Sequence, residues 1–151
     1  MAVDHKGLLT ADPGSQILVS KFGNWKNAEN FNLPSDTLYV TIKAGSKNNA
    51  IGGILAEFSN GFITDSSWQC AEISSTTKNP WPAASAVAAN DGSHKQWNSI
   101  VANISPGAKW IWTSNSGDSE VWCRKSFGGL KVCFLLKSTS VCMIFYHLTL
   151  P

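Results

Sequence analysis

Apolar and polar positions alternate along several short stretches of this chain, most clearly between Gly53 and Cys70. There Ile54, Ala56 and Phe58 interleave with Leu55, Glu57 and Ser59, the period of a strand with one preferred face. Asn60-Gly61 follows, a pair that supplies the positive φ of a tight hairpin turn. Beyond it come Phe62-Ile63, the hydrogen-bonding run Thr64, Asp65, Ser66 and Ser67, and then Trp68 and Cys70. A strand pair that ends in an aromatic side chain beside polar ones is suited to holding a ligand.

The same pattern predicts strands over 16–22 (QILVSKF), 37–44 (TLYVTIKA), 51–58, one or two within 62–70, 109–113 (KWIWT) and 120–127 (EVWCRKSF). Between them, 31–35 reads as a turn-containing connection, 45–49 as a polar turn, and SNSGDS as the turn before 120. Residues 74–99 lack a regular pattern. Within them PAASAVAAN could form only a short helix, and 100–104 predicts an edge strand. Short strands with frequent turn signals and no internal repeat place the chain in the all-β class, as a β-sandwich or jelly roll.

From Gly128 the character changes. GGLKVCFLLKSTSVCMIFYHLTLP is a long apolar run without polar alternation. It is either a final hairpin of 130–136 and 141–148 or residues foreign to the domain, and the second reading is preferred. As an uncovered edge such a hairpin would invite aggregation. The expected division is a domain over 1–127 and an anomalous hydrophobic tail over 128–151.

At 151 residues the chain has room for one domain, which would remove roughly two-thirds of its unfolded surface from water. Charged residues make up 15% and hydrophobic ones 43%, a balance that favours a turn-rich sandwich over a helical bundle. The net charge of +2 is small and Lys and Arg are scattered, so no basic stripe for nucleic acid is expected. No apolar run is long enough to predict a membrane span. The opening MAVDHKGLLTADPG has no apolar signal core, which taken literally points to the cytosol, but it also reads as a chain that begins mid-domain.

Cys70, Cys123, Cys133 and Cys142 have neither CxxC spacing nor a histidine at metal-ligand distance, which argues against zinc. Cys70 and Cys123 each adjoin a Trp-bearing, strand-like segment, and Asn103-Ile104-Ser105 is a glycosylation sequon. Both features fit an oxidising, secreted setting. A Cys70–Cys123 bridge would close a loop of about 54 residues, worth about 4 kcal/mol in the chain-entropy model. Two buried free thiols are the alternative, and Cys133 and Cys142 are left unassigned.

ITDSSWQC, then NPWPAA, then AKWIWTSNSGDSEVWCRKSF together resemble the galactose-binding-like jelly rolls attached to glycoside hydrolases, such as rhamnosidase and β-galactosidase accessory domains. They are more similar still to stand-alone secreted relatives in marine invertebrates. NWKNAENFNLPSDTLYVTIKAG resembles the strand before this block, so the likeness covers about residues 20–127. It implies a galactose-binding-like β-sandwich. Two departures stand out. The Asp-Asp-x-Ser turn usual before Trp-Pro is lacking between Ser74 and Asn79, and the family's early strands are reduced to a remnant around Val3–Gly7.

Carbohydrate recognition sets an aromatic face against the apolar face of a sugar ring and fixes hydroxyls with polar groups at its edge. Trp68 with Asp65, and Trp81 with Asn79 and Asn90, have that composition, and Trp97 between Gln96 and Asn98 is the best candidate for exposure, with Trp25 similar. The competing reading for Trp68 is core packing. For Trp110 and Trp112, which alternation points the same way with Ile111 opposed, packing between sheets is preferred, as it is for Trp122. Asp65 in front of Ser commonly caps its own turn. Asp118 and Glu120 could add oxygens for calcium, but their spacing matches no calcium loop, so no cofactor is expected. Arg124 reads as a strand residue paired at the surface.

A glycosidase needs two positioned carboxylates, and neither Glu57 nor Asp65 has an evident partner. His5, His94 and His147 lack the pattern of a catalytic triad. The expected function is therefore a non-enzymatic, secreted module that binds carbohydrate or a glycosylated extracellular matrix. The alternatives are a structural component of a shell or skeletal matrix without a sugar site, and a detached accessory domain of a glycosidase.

Overall fold

The computed structural model of the chain describes residues 2–3, 6–12, 15–19, 25–34, 37–46, 51–72, 80–127, 131–136 and 139–144. Among them the chain is all-β, with no helix. The strands are β1 (Ala2–Val3), β2 (Lys6–Asp12), β3 (Ser15–Val19), β4 (Tyr39–Gly45), β5 (Ile54–Leu55), β6 (Gln69–Glu72), β7 (Ser85–Ala89), β8 (Lys109–Trp112), β9 (Glu120–Ser126), β10 (Lys131–Leu136) and β11 (Thr139–Ile144). They form two antiparallel sheets, one ordered β3-β2-β4-β9-β6 and the other β1-β5-β8-β7, with β10 and β11 as a separate hairpin.

Alternation explains the larger sheet. In β4, Val40, Ile42 and Ala44 are buried, while Tyr39, Thr41 and Lys43 lie on the other face. Its neighbour β9 buries Val121 and Cys123 in register with Ala44 and Ile42. These side chains join Ile54 of β5 and Ile111 of β8 in one cluster, so the sheets share a core and the arrangement is compatible with a β-sandwich. Cys70 of β6 sits directly opposite Cys123 of β9, their Cα atoms 4.1 Å apart, and the two form a disulfide inside this core. The free-thiol alternative is thereby excluded for this pair.

A second cluster lies apart from the first: Leu55, Trp97, Val101, Ile104, Ala108 and Trp110. Most of it comes from the segment 90–108, which carries no strand beyond β7. Trp97 and Trp110 stack with ring centroids 4.6 Å apart and planes 5° from parallel, and His94 stacks on Trp97 at 4.9 Å. Trp25 meets Trp110 edge-on at 6.1 Å. The stack needs glycine beneath it, because a Cβ on Gly53 would lie 2.5 Å from the Trp97 ring and 2.8 Å from that of Trp110. Trp112, the last residue of β8, does not follow Trp110 as strict alternation predicts. It joins Ile111 in the inter-sheet cluster, with its indole N–H donating to the Asp118 carbonyl at 3.3 Å.

Several expectations change. PAASAVAAN forms β7 rather than a helix: so short an alanine-rich piece cannot nucleate alone, and β8 supplies hydrogen-bond partners, with a bulge between Ala86 and Ala88. The edge strand expected at 100–104 is a turn. Asn103 takes a positive φ of 63°, and the buried side chain of Asn90 holds the segment by donating to the carbonyls of Val101 (3.1 Å) and Ile104 (2.9 Å) and accepting from the Val101 N–H (2.8 Å). The Ile51–Phe58 strand shrinks to β5, followed by a bridge between Glu57 and Ile63 around the expected Asn60-Gly61 turn, where Gly61 has φ 83°. β1 and β2 had no sequence-based prediction. The tail strands fall close to the hairpin that was the less favoured of the two readings, and their register sets Cys133 opposite Cys142. Asn79, the shortened loop before it, His5, His147 and the end of the tail lie outside the described residues.

Candidate functional site: two surfaces at one end of the sheets

The connection from β5 to β6 carries most of the opening motif, and its side chains separate sharply. Thr64 is buried, its hydroxyl accepting from the Ala56 N–H at 3.0 Å. Asp65 caps its own turn, accepting from the backbone N–H of Ser67 at 2.8 Å and from the Ser67 hydroxyl. Trp68 turns inward, fully buried, with its indole N–H donating to the Ile63 carbonyl at 3.0 Å. It packs on Phe58, ring centroids 6.0 Å apart.

Phe58 in turn forms part of a cleft of about 550 Å³ between residues 29–34 with Thr37 and the 56–60 turn. Phe31, Leu33, Phe58 and Phe127 provide its apolar wall, and Glu29, Asn30, Asn32, Glu57 and Asn60 its polar edge. Phe58 and Phe127 meet edge-to-face at 5.1 Å. The Phe127 N–H donates to the Leu38 carbonyl at 2.9 Å, and Thr37 closes the other rim by donating from its hydroxyl to the Pro34 carbonyl at 2.7 Å. Among the polar groups at this edge, Asn60 accepts from the Phe62 N–H, and Glu57 accepts from the Ser105 N–H. Asn30 and Asn32 are exposed and make no side-chain hydrogen bond among the described residues.

A second basin, of about 720 Å³, is lined by Tyr39, Ser67, Gln69, Pro80, Arg124, Lys125 and Ser126. The Arg124 guanidinium lies over the Trp81 ring at 4.3 Å, and its Nε donates to Gln69 Oε1 at 3.0 Å. The Lys125 ammonium donates to the Ser67 hydroxyl at 2.5 Å and sits 5.7 Å from the Phe62 ring. Tyr39 is 43% exposed.

The four tryptophan and aspartate candidates therefore do not form one site. Trp81 is half-buried beside the basin, and Asp65 reaches the basin only through Ser67. Trp97, expected to be exposed, is 0% exposed, because the 90–108 segment folds over it and Trp110 covers its face. Neither it nor Trp68 offers a face to a ligand. Asn90, paired with Trp81 in the sequence reading, is buried and fully engaged with its own loop. Asn103 of the sequon is exposed at a turn. Asp118 has both carboxylate oxygens occupied by Thr113 and Asn115, each at 2.6 Å. Among the described residues no group of three or more His, Cys, Asp or Glu is placed to hold a metal ion, and no helix is long and apolar enough to cross a membrane.

The sequence reading missed the cleft. Phe31, Phe58 and Phe127 come from three distant segments, and no local motif joins them. Comparison with known proteins found no matching family model, no matching curated protein and no matching solved structure.

Proposed function

We propose that the chain is a secreted, non-enzymatic, galactose-binding-like jelly-roll module that binds carbohydrate, free or displayed on a glycosylated extracellular matrix. The observation that carries this reading is the cleft lined by residues 29–34 and 56–60 with Thr37 and Phe127. Its volume lies within the range of small-ligand sites, and aromatic walls meet amide and carboxylate groups at its edge. A sugar ring has the matching composition, with C–H faces for Phe31, Phe58 and Phe127 and hydroxyls for Asn30 and Asn32. The buried Cys70–Cys123 bridge supports an oxidising compartment. The resemblance over about residues 20–127 supports the jelly-roll assignment.

A glycan array probed with the wild-type chain and with an Asn30→Ala/Asn32→Ala variant tests the reading. Binding of a defined glycan by the wild type and its loss in the variant, with unchanged thermal unfolding, is the expected result. No glycan bound, or equal binding by both, would overturn it. Glu29 and Glu57 both line the cleft, so release of reducing sugar from the bound glycan would overturn the non-enzymatic part.

A further inference from the structure

The basin beside Trp81 has a different chemistry from the cleft. Its lining side chains are Tyr39, Ser67, Gln69, Arg124, Lys125 and Ser126 around Pro80: hydroxyls, one amide and two cations, with no carboxylate. The cations occupy consecutive positions at the end of β9 and are held by their surroundings. Arg124 lies over the Trp81 ring and is tied to Gln69, whose backbone pairs with it in register. Lys125 is fixed by Ser67, and Ser67 is fixed by Asp65, so the carboxylate nearest to Lys125 in this chain of contacts sits one hydroxyl behind it. Lys125 has no carboxylate partner among the described residues. Cations held in place lose little side-chain freedom when an anion arrives, and a basin lined by one sign of charge concentrates the opposite sign.

We propose that this basin is an anion site that takes the sulfate ester of a sulfated glycan. A sulfate group presents several acceptor oxygens to surrounding N–H and O–H donors, which suits a lining of guanidinium, ammonium and hydroxyl groups. The exposed Tyr39 ring supplies a flat surface for the sugar that carries the ester. Ser126 lines the basin and Phe127, the next residue, lines the aromatic cleft, so the two surfaces meet at the end of β9. The choice of a glycan as carrier rests on the carbohydrate reading above, whereas anion recognition rests on the basin alone.

Calorimetric titration of the full chain at low ionic strength, with a heparin-derived tetrasaccharide, its desulfated counterpart and sodium sulfate, tests the proposal. Expected is measurable binding of the sulfated tetrasaccharide, weaker binding of inorganic sulfate, and none of the desulfated form. Lys125→Gln is expected to weaken binding by about tenfold or more, the loss typical of a charged hydrogen bond, and Arg124→Gln by a similar factor. Lys125→Gln keeps the Trp81 stack and separates charge from folding. Equal affinity for sulfated and desulfated forms, or indifference to Lys125→Gln, would overturn the site. Sulfate ion binding as tightly as the tetrasaccharide would overturn the glycan assignment. Asn30→Ala/Asn32→Ala removes neither cation, so failure of the neutral cleft and failure of the basin are read separately.

Discussion

Between the two sheets the core is made of Val40, Ile42, Ala44, Val121 and Ile111 around a disulfide, side chains that alternate along regular strands. The second cluster is made of Trp97, Trp110, Val101 and Ile104 under a segment with almost no regular structure. The first owes its order to backbone pairing, which puts every second residue on the same face. The second owes it to one buried amide and one aromatic stack: Asn90 satisfies the backbone of the 99–104 turn, and Gly53 lets the Trp97 ring lie against the sheet. Tryptophan in this molecule is thus mainly a building material. The cleft and the basin are lined instead by phenylalanine, asparagine and the Arg124–Lys125 pair.

Truncating the stack breaks this contrast most severely. Trp97→Ala is expected to cost about 3–5 kcal/mol in denaturant unfolding, the range for large aromatic truncations in cores. A loss under about 1 kcal/mol would mean that the 90–108 segment does not pack as described. Removing the disulfide with a Cys70→Ala/Cys123→Ala variant tests the other cluster and is expected to cost about 2–5 kcal/mol, measured the same way. Asn90→Leu leaves the Val101 N–H and two carbonyls without their partner and is expected to cost about 1–3 kcal/mol, with faster hydrogen exchange confined to 99–104.

A finer comparison concerns the indole nitrogens. Trp68 donates to Ile63, whereas the buried Nε1 atoms of Trp97 and Trp110 have no hydrogen-bond partner among the described residues. Trp68→Phe is therefore expected to be the more damaging, by about 1 kcal/mol relative to Trp97→Phe, because it strips a carbonyl of its donor. The smallest effect belongs to the surface. Asn30→Ala/Asn32→Ala is expected to change stability by less than about 0.5 kcal/mol while abolishing glycan binding.

Strands β4 and β9 were legible because their alternation survives in the sequence: Val40, Ile42 and Ala44 face in, and Val121 and Cys123 do the same. β8 was legible by its aromatic and β-branched composition instead, since Trp110, Ile111 and Trp112 are all buried. β7 was not, since alanines carry no face preference and only pairing with β8 makes them a strand. The 100–104 segment misled because Ile100, Val101 and Ile104 have strand-like composition, yet Ile100 is 60% exposed and Asn103 has a left-handed backbone that no strand accommodates. Trp97 misled because polar neighbours, Gln96 and Asn98, suggested a surface loop, while the glycine and tryptophan that receive it lie elsewhere in the chain, at positions 53 and 110. The opening segment proved to be divided. Its Asp65 caps a turn, its Trp68 fills the core, and its Phe58 alone reaches the cleft as an aromatic wall.

The separation of scaffold from recognition surface is tested most directly by heteronuclear NMR titration with the strongest-binding glycan of the array. Backbone amides of residues 29–33, 56–60 and 127 are expected to shift while the indole N–H signals of Trp68 and Trp97 stay in place. Shifts centred on those two indoles with residues 29–33 unmoved, or no response to any glycan, would contradict it.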